Sequence, residues 1–130
     1  MSDEKKPERG TVGWLDLTVE NAEEIRGFYA AVVGWKSDSV DMGEYQDFVM
    51  TTPDTGSVAA GVCHARGSNA NLPSQWLIYV NVDDLDASAG RCTDLGGEIL
   101  VGPKTMGSHG RYCVIRDPAG AVIALFETVG

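Results

Sequence analysis

From Thr11 to Val19 apolar and polar residues alternate, with Leu15, Leu17 and Val19 on one side and Trp14, Asp16 and Thr18 on the other. A period of two belongs to an extended strand whose faces meet different surroundings. The period then changes: Ile25, Phe28, Tyr29, Val32 and Val33 recur at helical spacing. Asn21 is placed to cap this helix, Glu23 and Glu24 lie in its first turn, where carboxylates suit the helix dipole, and Gly34 can close it. Strands are predicted next near 35–40, 45–51 and 57–64, with Asp54-Thr55-Gly56 turning between the last two. Residues 66–74, with Gly67, Ser68, two asparagines and Pro73, read as a linker.

The plan then repeats. A strand is predicted at 75–82, and Asp84 or Asp86 opens a helix that runs through Cys92 and Leu95 and ends at Gly96-Gly97. Strands near 98–101, 111–116 and 121–128 follow, the last two joined by the turn Asp117-Pro118-Ala119-Gly120. Val19 and Val82, Asn21 and Asp84, and Gly34 and Gly97 each stand 63 residues apart, while Gly56 and Gly120 stand 64 apart. Two βαβββ modules, at about 11–65 and 75–128, account for that register in an α+β chain. The expectation is one domain over 11–130, preceded by a polar, flexible tail at 1–10 that holds Pro7 and Gly10.

Charge narrows the choice of partners. The net charge of −9 repels phosphate backbones and anionic lipid, so neither nucleic acid nor membrane is expected as a partner. The cysteines Cys63, Cys92 and Cys113 form no CxxC pair, and the charged N-terminus lacks the apolar segment of a secretion signal. Reduced thiols in a cytoplasmic protein are the expectation. Cys63 and Cys113 read as buried small residues.

Several local runs resemble the vicinal oxygen chelate superfamily, which includes glyoxalase I, bleomycin- and fosfomycin-resistance proteins and extradiol dioxygenases. They are Phe28-Tyr29-Ala30-Ala31-Val32-Val33-Gly34-Trp35, Val82-Asp83-Asp84-Leu85-Asp86 with Leu95-Gly96-Gly97, and Gly110-Arg111-Tyr112 followed by Asp117-Pro118-Ala119-Gly120-Ala121. In order and spacing they cover about 11–128. The resemblance implies that each module curls into half of a cup with its helix outside, that the bound molecule lies in the cup, and that two chains form a homodimer. It also implies that metal-dependent members place four ligands on the first and last strands of each module. Those positions carry over to Trp14, Ala60, Leu77 and Ala124, none of which is a metal donor, and a one-residue slip onto Gly61 or its equivalents offers no donor either. No metal and no cofactor are therefore expected.

Alternation from those positions gives a cup lined by Trp14, Asp16, Thr18, Ala60, Val62, His64, Leu77, Tyr79, Asn81, Val122, Ala124 and Phe126, with His109 on the overhanging loop Met106-Gly107-Ser108-His109-Gly110. Apolar and aromatic walls with a few polar groups suit a small organic ligand. The leading expectation is a metal-independent protein that binds an apolar or aromatic compound. A second is a cofactorless isomerase or lyase with Asp16, Tyr79 or His64 as acid or base. A third is an accessory interaction module whose cup is filled by its own side chains. Asp16 beside the Tyr79 hydroxyl also fits a purely structural pair, and His64 an exposed strand end.

Overall fold

The computed structural model describes residues 7–128. In chain order these form β1 (Val12–Val19), α1 (Ala22–Val33), β2 (Lys36–Asp41), β3 (Gln46–Thr51), β4 (Val58–His64), a short 3-10 turn (Gly67–Asn69), β5 (Trp76–Asn81), α2 (Leu85–Asp94), β6 (Glu98–Met106), β7 (Gly110–Arg116) and β8 (Val122–Thr128). The βαβββ plan thus occurs twice. Two compact units divide the chain: a first over 15–76, and a second that joins the N-terminal residues through Trp14 to those from Leu77 onward. β1 is shared, changing unit at Trp14/Leu15.

In the first unit the strand order is β2-β3-β4-β1, antiparallel except that β1 runs parallel to β4. Leu17 pairs with Val62, Phe48 with Val62, and Met50 with Ala60, so these side chains share one face. That face packs under α1: Leu17, Val19, Ala22, Phe48, Met50 and Val62 form its core, with Ile25, Tyr29, Trp35 and Trp76 against it. Burying a side chain such as Phe48 or Met50, both at most 2% exposed, contributes roughly 1.5–3 kcal/mol. Trp76 Nε1 donates to the Tyr29 hydroxyl at 3.0 Å, which satisfies the one polar atom of a half-buried indole.

The second unit repeats this plan with the order β5-β8-β7-β6 and β5 parallel to β8. α2 covers the face bearing Cys113, Ile115 and Leu125, burying Leu85 and Ala89 there. Its N-terminus is capped twice: Asp84 accepts from Ala87 N at 3.0 Å, and Glu127 Oε1 accepts from Leu85 N at 2.7 Å. The Arg111 guanidinium makes a two-pronged bond to Asp86 at 3.0 Å on each arm, which holds that exposed carboxyl below its ordinary range.

Two local differences from the sequence reading have physical causes. β6 continues past Val101 to Met106 although Gly102-Pro103 reads as a breaker. It is the outermost strand of its unit, where a residue without an N–H is tolerated, and its pairing with β7 shifts register around Val101. At α1, Asn21 makes no side-chain cap bond; its amide instead donates to Glu24 Oε1 at 3.1 Å.

Candidate functional site

On the face of the second unit turned away from α2, pairing aligns Tyr79 with Ala124, Asn81 with Phe126, and Phe126 with Tyr112. A cavity of about 910 Å³ opens on this face, lined by Pro7, Glu8, Thr11, Gly13, Trp14, Tyr79, Asn81, Met106, His109, Phe126 and Thr128. Four strands and two loops supply the walls. Trp14 stands near the start of β1, Tyr79 and Asn81 on β5, and Phe126 and Thr128 on β8. Met106 ends β6 and His109 lies in the tight turn from it into β7, where His109 N donates to Met106 O at 3.1 Å. Tyr112 is buried behind, its ring 6.3 Å from that of Tyr79.

Residues 7–11, most of them read as part of a tail, form one wall. Gly10 N donates to Asn81 O at 2.7 Å and Asn81 N to Thr11 O at 2.9 Å, as in a strand ladder. The Asn81 amide also donates to Thr11 Oγ1 at 3.1 Å. A Cβ at Gly13 would stand 2.8 Å from Asn81 Nδ2, so a larger residue there would have to displace that amide. Residues 1–6 of the expected tail lie outside the described residues.

Of the residues expected to line a cup, Trp14, Tyr79, Asn81, Phe126 and His109 border this cavity. Leu77 and Ala124 belong to the same unit but are packed away, at 4% and 0% exposure. Asp16 and Thr18 lie in the first unit, buried on the face opposite α1, where Asp16 pairs with Gly61 and Thr18 with Cys63. Burial, aided by the charges of Asp16 and Asp47, pushes the Cys63 thiol far above its ordinary range, so it is no ready nucleophile. Cys63 is only half-buried, whereas Cys113 is fully buried as expected.

The placement of Ala60, Val62 and His64 beside Asp16 is corrected by the register. Met50 pairs with Ala60 but Thr51 with Val58, so Ala59 is an extra residue on β4, a β-bulge. It turns Ala60, Val62 and His64 to the face of Leu17 and Val19. The counterpart of Ala124 is Gly61, at the same 63-residue offset as Asp16 and Tyr79. Nor is His64 an exposed strand end. Its ring is mostly covered, 5.4 Å from Tyr45, with Nδ1 3.4 Å from Asp47 Oδ1, and the same oxygen accepts from His64 N at 2.9 Å. Of the three acid/base candidates, His64 lies on the Leu17 face of the first unit, Asp16 on the opposite face of that unit, and Tyr79 in the second unit.

Pro7, Glu8, Thr11, Gly13, Met106 and Thr128 were not expected in the lining. Alternation beyond Phe126 points to Thr128, but nothing periodic marks residues 7–11. The residues at the positions implied for metal ligands, read with the corrected register, are Trp14, Gly61, Leu77 and Ala124, and their side chains offer no donor.

The sequence model of the Glyoxalase/Bleomycin resistance protein/Dioxygenase superfamily matches residues 11–125. The chain belongs to that superfamily. Among curated relatives of this glyoxalase-superfamily chain, "Putative glyoxylase CFP32" of Mycobacterium bovis is 30% identical over 120 residues, covering 92% of this chain and 45% of that protein. The "Anthracycline biosynthesis protein DnrV" of Streptomyces peucetius is 28% identical, covering 91% and 47%. The chain thus spans about half the length of the curated relatives it matches. Solved structures with the same fold include methylmalonyl-CoA epimerase of Streptomyces coelicolor (14% identity, TM-score 0.57, covering 95% of this chain and 100% of that one). The epimerase of Mycobacterium tuberculosis is similar (15% identity, TM-score 0.54, covering 93% and 89%). At such identities the likeness is one of fold.

Proposed function

We propose that this superfamily member binds a small apolar or aromatic compound, without a metal ion, in the cavity of its second unit. The observation that carries the reading is an open space of about 910 Å³ walled by Trp14, Tyr79, Phe126 and Met106, with polar groups confined to a few points. Its volume is that of a drug-sized ligand site, and flat rings give contact area at little entropic cost. The same cavity argues against an accessory module whose cup is filled by its own side chains. As the family resemblance implies, the reading further expects two copies of this chain to assemble as a homodimer.

The test is a titration with N-phenyl-1-naphthylamine, a neutral dye that brightens in apolar surroundings. Saturable binding of one dye per chain is expected, insensitive to a chelator and weakened about tenfold by Trp14→Ala or Phe126→Ala. Thermal melts of each variant separate loss of binding from loss of fold. Absence of saturation, or affinity that ignores both substitutions while they remain folded, overturns the reading.

A further inference from the structure

The side chains around the cavity carry little charge, and its distribution is one-sided. Among the described lining residues Glu8 is the one acidic residue and His109 the one histidine, and there is no lysine or arginine. Glu8 is held at this wall by its backbone. Thr11 N and Thr11 Oγ1 both donate to Glu8 O, at 3.2 and 2.6 Å, closing a turn that Gly10 permits with φ of +91°. The neighbouring cation is engaged elsewhere, with Arg9 Nη1 3.5 Å from Asp83 Oδ2. Around this lies a chain with 19 acidic and 10 basic residues.

We propose that the cavity selects an aromatic compound that carries a protonated amine, with Glu8 as the residue that sets the preference. The inference rests on the binding reading above and adds the charge of the ligand to it. An ammonium near Glu8 meets an opposite charge, and the faces of Trp14, Tyr79 and Phe126 attract cations through their ring quadrupoles. The net charge of −9 draws such a ligand in from a distance. A carboxylate- or phosphate-bearing ligand meets the reverse: repulsion by Glu8 and by the surface, with no fixed lysine or arginine on the wall to offset it.

Three probes with one ring system isolate the charge: 1-naphthylmethylamine, 1-naphthylmethanol and 1-naphthoate, each measured by calorimetry near neutral pH. The amine is expected to bind about three- to tenfold tighter than the alcohol, and the carboxylate more weakly than the alcohol. Glu8→Gln is expected to bring the amine to the level of the alcohol without changing the alcohol. Raising salt from about 0.05 to about 0.5 M should shrink the preference in the unsubstituted protein. Binding of 1-naphthoate as tight as that of the amine, or an amine preference that survives Glu8→Gln, overturns the inference. Alcohol binding with no charge preference leaves the binding reading standing and removes this one, whereas failure of all three probes removes both.

Discussion

Cys113 sits without exposure between β7 and α2, and burial pushes its thiol up to about 11. A thiol that keeps its proton longer in the folded chain adds stability below the unfolded value of about 9, and loses that contribution as pH rises towards 11. Urea midpoints should therefore fall across this interval, and fall less steeply in Cys113→Ala. An identical slope in the variant would show that the thiol does not contribute. At Gly13 the clash of a new Cβ is with the end of the Asn81 side chain, whose bonds hold Thr11. Gly13→Ala should cost about 1 kcal/mol in denaturant melts and weaken dye binding through the displaced arm. At this scale the sequence is legible where periodicity speaks: strand alternation brings Trp14, Tyr79, Asn81 and Phe126 together. It is silent on Glu8 and Thr11, whose place depends on backbone bonds to Asn81, and misleading at Ala60 and His64, because one extra residue reverses a strand's faces.

Elements follow their end signals unequally. Both helices begin where an Asx residue stands, yet only Asp84 bonds the first turn. Asp84→Ala should lower stability by about 1 kcal/mol and Asn21→Ala by only a few tenths, as read from paired urea melts. The strand turns differ in the same way. A Cβ at Gly110 would strike the Glu127 carbonyl, whereas at Gly120, with φ of +94°, it meets nothing within 4 Å. Gly110→Ala should accordingly cost at least about 2 kcal/mol, and Gly120→Ala only about 1 kcal/mol of left-handed strain. Element type was legible throughout, but the length of β6 was not. A proline stops a strand in sequence terms, and only position at the outside of a sheet makes it acceptable.

For the whole molecule, the repeat was the strongest signal, because a 63-residue offset places strands, helix caps and turns at once. What it could not fix was the slip to a 64-residue offset at Gly56 and Gly120, which the extra residue at Ala59 returns to 63 by Gly61 and Ala124. The proposed homodimer belongs to this scale as well. Light scattering should return twice the 13.9 kDa chain mass at every accessible concentration, and a steady single-chain mass would refute it. Among the described residues no helix is long and apolar enough to cross a membrane. The parallel closure of each module carries a consequence for its birth on the ribosome. Asp16 waits for Gly61 and Tyr79 for Ala124, each 45 residues further along the chain. At about 5–20 residues per second, each opening strand spends seconds without its mate, while the antiparallel neighbours can already zip. A stall in translation just before β4 or β8 would hold the chain with a strand edge uncovered, which is when a nascent chain of this design is most exposed to wrong pairings.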